Sequence, residues 1–141
     1  MSQNYKNHRR FVPTFHFMTT PVLVAVLIGA VVNLVNATST TVYSASLILV
    51  LTLVVASAFL HSRIFALKAQ NRAIRAEENF RHYILTGKPL DPRLQMGQII
   101  ALRFASDAEL PFLAEKAVAE GLSNDAIKRA IQNWRADYNR V

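Results

Sequence analysis

From Pro21 to Leu60 the chain carries no charged residue. Two apolar stretches, Phe15 to Val35 and Val42 to Leu60, flank a short polar patch, Asn36-Ala-Thr-Ser-Thr-Thr41. A bilayer core takes about 20 apolar helical residues at ~1.5 Å each, and either stretch has about that length. The roughly six residues between them suffice for a tight helical hairpin. The pattern therefore predicts two spans, about 14–35 and 42–60. A helix that began at Pro21 would be too short to cross, so the first span is expected to start near Pro13, where proline suits a first turn. A kink is then expected around Pro21, whose ring removes a donor and crowds the preceding turn. Phe11, Phe15 and Phe17 at the inner end and Tyr43 at the outer end are placed as interfacial aromatics.

Past Leu60 the pattern becomes amphipathic. No Gly or Pro occurs between Gly29 and Gly87, so the second span is expected to continue as one rod to about Thr86, with Gly87 ending it. Leu60, Ile64, Leu67 and Ile74 repeat at heptad spacing with Asn71 in the gap. Ala66, Ala69, Ala73, Ala76, Phe80 and Tyr83 form a second seam, and Lys68, Arg72, Arg75 and His82 a basic stripe. Two apolar seams imply two things to pack against: one the chain's own later helices, the other a second protomer or a foreign subunit, unless the C-terminal helices fill both. Beyond the rod, Lys88-Pro-Leu-Asp-Pro92 reads as a stiff connector. Asp91 is expected to cap a helix running to about Phe104 or Ala105, with Pro92 first and Met96, Ile99, Ile100 and Phe104 buried. Ser106-x-x-Glu109 reads as a capping box. It precedes a helix faced by Leu110, Leu113, Ala114, Ala117 and Val118 that stops at Gly121. Ser123 caps a last helix in which Ile127, Ala130, Ile131, Trp134 and Tyr138 recur at helical spacing. The expected fold is all-α: a two-span transmembrane hairpin, its second span continuing into a long cytoplasmic helix and a small three-helix module. Residues 1–60 form the N-terminal segment and hairpin, and 61–141 the rod and module.

Charge sets the orientation. Hydrophobic residues make up 52% of the 141 and charged residues 18%, and the formal charge is +7. Lys6, Arg9 and Arg10 precede the first span, Arg63, Lys68, Arg72 and Arg75 follow the second, and the linking loop has neither Lys nor Arg. The positive-inside rule then puts both termini in the cytoplasm. The apolar run is long for a signal peptide cleaved after Val35-Asn36-Ala37, and spans are expected instead. Asn36-Ala37-Thr38 matches a glycosylation triplet but lies too close to the membrane to carry weight. Basic groups beside a bilayer point first to anionic lipid. With no cysteine in the chain, disulfides, thiolate chemistry and cysteine-ligated metal are excluded.

Chemistry is sparse. Ala117, Gly121-Leu122-Ser123, Ile127 and Ala130 match helix-turn-helix spacing, and Lys128, Gln132, Arg135 and Asn139 would project from one face of the second helix toward DNA. Glu115, Glu120, Asp125 and Asp137 dilute the positive field such binding needs. His16 and His61, one on each span near the inner interface, are the weak candidates for ligating a haem in an electron-transfer subunit. Gly29, Asn33, Ser44, Ser46, Thr52 and Ser57 are candidates for the contact between the spans. No ionisable group lies inside the spans to serve a transport path. Trp134 reads as a core or interface anchor, and Arg103, Glu77 and Glu78 as solvated positions. No carboxylate pair, nucleophile triad or phosphate loop stands out.

Gln3-Asn4-Tyr5-Lys6-Asn7-His8, Phe11-Val12-Pro13, Phe15-His16-Phe17, Ile99 through Ala105 and Ile131 through Asp137 together resemble a family of small bacterial two-span proteins classed as a domain of unknown function. The resemblance implies a bacterial inner-membrane protein with a helical cytoplasmic tail and transfers no activity. The expectation is a non-enzymatic accessory or scaffold subunit, or a homo-oligomer, with no cofactor. Its expected partners are the lipid bilayer and another membrane protein or a second copy of itself, with nucleic acid the weaker alternative.

Overall fold

The computed structural model describes residues 3–8 and 12–138, and those residues are all-helical apart from turns and one isolated bridge. A π-helical segment, Thr14–Thr19, leads into α1, Thr20–Val35. Then follow α2, Val42–Thr86; α3, Met96–Leu102; α4, Leu110–Ala119; and α5, Asn124–Ala130. Contacts divide the chain into two units, one of residues 11–66 and one of residues 1–10 with 67–141. Gln3 to His8 thus group with the module, where the sequence pattern had set them with the hairpin.

In the hairpin unit the strain expected at Pro21 takes the form of the π-helix. Pro21 has no N–H to give, and the wider turn just before it relieves the carbonyl its ring would crowd. The Thr20 amide reaches back five residues to Phe15 O, and the Thr20 hydroxyl donates to the same oxygen at 2.7 Å. The polar patch closes through the Thr38, Thr40 and Thr41 hydroxyls. Ala30, Ala45 and Thr52 are buried, and the Phe15 and Phe59 rings stack at 4.4 Å with Arg63 over Phe15. Small side chains at the buried positions suit close helix approach where hydrophobic driving force is absent. Gly29, expected among these contacts, is exposed with open space where a side chain would go. Both apolar helices are long enough to cross a membrane, and only 6% and 11% of their most apolar windows are buried.

The module has an ordinary packed core. Ile99 and Leu102 of α3, Phe104, Leu110 of α4 and Ile127 of α5 are its largest fully buried side chains. Ile74 of α2 and Leu90 and Leu94 of the connector join them. Gly87, at φ +72°, ends α2, and its amide bonds to Tyr83 O at 2.8 Å. Gly121, at φ +61°, ends α4 in the same left-handed conformation. Ser123 caps α5 through the Ala126 amide, as its spacing predicts.

Three helix boundaries differ from expectation. Asp91 does not cap α3, because its carboxylate takes the Arg93 amide and guanidinium and closes a separate turn. The helix begins five residues later, where the Gln95 amide donates to Gln98 Oε1. Ser106 and Glu109 form no capping box. The Glu109 carboxylate accepts instead from the Asn133 backbone and side chain, and α4 starts at Leu110 with Pro111 in its first turn. The last helix stops at Ala130, since Ile131 turns extended. Residues 133–135 then pair with 104–106 through Ser106 N–H to Asn133 O and Arg135 N–H to Phe104 O.

Candidate functional site

The second seam is a face left open. Ala66, Ala69, Ala73, Ala76, Phe80 and Tyr83 are all exposed, Phe80 and Tyr83 by more than half. The opposite face of α2 is filled by the module: Ile74, Glu78 and His82, at four-residue spacing, are buried. Of the first seam, Ile74 is buried and Asn71 half-buried, while Leu60, Ile64 and Leu67 stay exposed. Lys68, Arg72 and Arg75 are exposed, but His82 leaves the basic stripe, with its Nδ1 against Lys88 O at 2.8 Å.

Two positions read as solvated are interior. Glu78 is 5% exposed and holds Arg81 at 2.9 Å and Arg135 at 3.4 Å. Arg81 continues to Asp107 and to Ala105 O. Arg103 is 7% exposed, pairs with Asp137 at 3.3 Å and lies over the Phe104 ring. Glu78, Arg103, Arg135 and Asp137 line a small cavity of about 130 Å³ together with Ala73 and Ile74. This network ties α2 to the extended tail. A buried carboxylate with two guanidiniums fixes register rather than performing chemistry unless a substrate enters, and the space here is small.

The proposed DNA-reading face is not formed among the described residues. Lys128 lies on α5, whereas Gln132 and Arg135 lie beyond its end and Arg135 is held by Glu78. Asn139 lies outside the described residues. His16 and His61 each turn Nδ1 to a carbonyl four residues back, Val12 O at 3.0 Å and Ser57 O at 2.8 Å. Among the described residues no cluster of three or more His, Cys, Asp or Glu is placed to hold a metal.

Sequence reasoning missed the seat of the N-terminal segment. The Tyr5 hydroxyl donates to Asp125 Oδ1 at 2.7 Å and accepts from Arg129 at 3.1 Å. The His8 ring lies 5.9 Å from Phe104 and 5.8 Å from Trp134. Gln3 brackets Asp137 by accepting its amide at 2.8 Å. Only the clustering of polar and aromatic residues in a six-residue run hinted that this segment packs on anything.

The family of unknown function DUF6526 matches residues 1–141. The chain belongs to that family. No curated protein and no solved structure matches it. The match spans hairpin and module together.

Proposed function

We propose that this DUF6526 member is a non-enzymatic integral membrane protein that serves as a scaffold or accessory subunit of a larger membrane assembly. In this reading the hairpin lies in the bacterial inner membrane, both termini face the cytoplasm, and the open face of α2 receives a partner. The observation that carries it is the asymmetry of α2 beyond the hairpin. One face is consumed by the module, while the Ala66 to Tyr83 seam is apolar, regularly spaced and uncovered. Contiguous exposed apolar surface of this kind marks interaction sites. The hairpin topology draws support from residues 3–8. They precede the first apolar helix yet pack on the module that follows the second, as expected if both ends lie on one side of the bilayer.

Extraction of native membranes in mild detergent tests the reading. The expected particle is larger than one copy of the chain in its micelle, and Phe80→Asp with Tyr83→Asp reduces it to one copy. A monodisperse single-copy particle with no co-purifying protein refutes it. Topology is checked separately with single cysteines, which the chain lacks. In intact cells an impermeant thiol reagent labels Ser39→Cys and spares Tyr138→Cys, and the reverse pattern rejects the orientation.

A further inference from the structure

We propose that the open face of α2 pairs with the same face of a second copy of this chain, as a parallel two-stranded coiled coil whose register is set by Arg72 of one copy against Glu77 of the other. This rests on the reading above, in which the copies share one bilayer and one orientation, and it names the occupant of the face. Read as heptads, the seam from Ala69 onward places Ala73 and Phe80 at position a and Ala69, Ala76 and Tyr83 at position d. It is more than a run of small residues, because Phe80 and Tyr83 at its far end are 64% and 54% exposed. Ile74, Glu78 and His82, which the module buries, fall at b, f and c. Internal packing therefore leaves both a and d uncovered.

Charge chooses the occupant. In a parallel pair each g residue meets the e residue of the partner's next heptad, five places on. Arg72 is at g and Glu77 at e, and both are exposed. Five residues at about 100° each set them about 140° apart around one helix, astride the seam, so they do not face each other within a chain. Across a parallel pair they meet twice, once on either side of the seam, with opposite sign. The following pair of this kind, Asn79 and Ile84, carries no charge. An antiparallel pair would instead set g against g and e against e, like charge against like. A foreign helix would need matching charges of its own, whereas a second copy already supplies them. Alanine at three successive d, a and d positions permits close approach, and the two aromatic rings add buried area beyond it.

The test uses the full chain in liposomes, labelled with donor or acceptor through Ser39→Cys, and follows energy transfer as the chain is diluted with lipid. Arg72→Glu and Glu77→Arg should each weaken self-association by about tenfold, since two attractive pairs per dimer become repulsive. Mixing the two variants should restore native strength, because each supplies the charge the other lacks, and that recovery also shows both to be folded. In membranes treated with a mild oxidant, Ala76→Cys should cross-link to a dimer of the chain, and Arg75→Cys, which lies off the seam, should not. Absence of transfer in the native chain, no recovery in the mixture, or equal cross-linking at residues 75 and 76 overturns the pairing. A foreign protein that co-purifies while Ala76→Cys stays uncross-linked overturns the pairing and leaves the scaffold reading standing. A single-copy particle with nothing bound overturns both.

Discussion

In the hairpin, polar side chains bond to nearby carbonyls of the helix that carries them; in the module, several also bond across the sequence. Ser44, Ser46 and Thr52 donate to carbonyls three or four residues back, and Asn36 does the same from the end of α1. In the module, Gln98 reaches Leu122 O, Glu109 reaches Asn133, Arg81 reaches Ala105 O and Tyr5 reaches Asp125. The apolar side chains divide in the opposite sense. Val22, Ile28, Leu51 and Val54 of the hairpin are at least half exposed, while Ile99, Leu102 and Leu110 of the module are shut away. Each pattern suits the solvent proposed for its unit. Lipid offers no hydrogen bonds, so a hydroxyl there must be satisfied locally. In the module the long-range bonds run both at the surface and in partly buried places, where the fold brings distant residues together.

Replacing buried polar groups separates the two regimes most sharply. Glu78→Gln leaves Asp107 as the carboxylate on Arg81, beside its bond to Ala105 O, and removes the charge that holds Arg135 to α2. Breaking a buried ion pair is expected to cost on the order of 3 kcal/mol, reduced here because Arg135 is half exposed. Thr52→Val removes a bond made within one helix, and a loss of no more than about 0.6 kcal/mol is expected. Denaturant unfolding of the full chain in detergent, followed by Trp134 emission and by helix content, checks both. Equal costs would show that the hairpin holds its polar groups as the module does.

Glycines give a smaller contrast. A side chain at Gly97 would run into the Asn124 side chain, since α3 and α5 pack closely there. Gly97→Ala should destabilise the module by roughly 1–3 kcal/mol, and Asn124→Ala should recover most of that loss. Gly29 sits in the middle of α1 with nothing within reach. Gly29→Ala should be neutral or stabilise by up to ~1 kcal/mol through helix propensity. The same unfolding measurement decides between them.

Much of this could be read before the structure. Lack of charge located the two apolar helices, lack of Gly and Pro gave the length of α2, and Gly87, Gly121 and Ser123 marked their own boundaries. These are local signals, set by one residue's conformational freedom or one side chain's reach. The misses have tertiary causes. Ile127, Ile131 and Trp134 repeat as a helix would, but pairing of 133–135 with 104–106 draws the backbone out at Ile131, and periodicity cannot reveal a distant partner. Glu78 was legible in principle, because it lies four residues from both Ile74 and His82 on the face that turns inward. Its charge argued against burial until Arg81 and Arg135 were placed beside it. The seam's spacing was legible, but not that it stays open, since the later helices could equally have covered it.

Acid provides the smallest and most selective distinction. No Asp or Glu precedes Glu77, so the hairpin unit has no carboxylate to protonate, and its helix content should stay flat as pH falls. The module has several, and Asp91 is clearly perturbed. The Arg93 side chain first, and its amide second, hold the Asp91 carboxyl down at about 2 from an ordinary 3.8. A carboxyl lowered on folding adds stability above its unfolded value and loses it as pH falls through the folded one. Its contribution should therefore be complete at neutral pH, decline from about 4 and vanish near 2. Asp91→Asn keeps an acceptor for the Arg93 amide but removes the charge. Native and variant chains should differ slightly in Tm at pH 6, and that difference should close by pH 2 while the hairpin's signal does not move. A gap that persists at pH 2 would mean that Asp91 acts through the shape of its turn rather than through its charge.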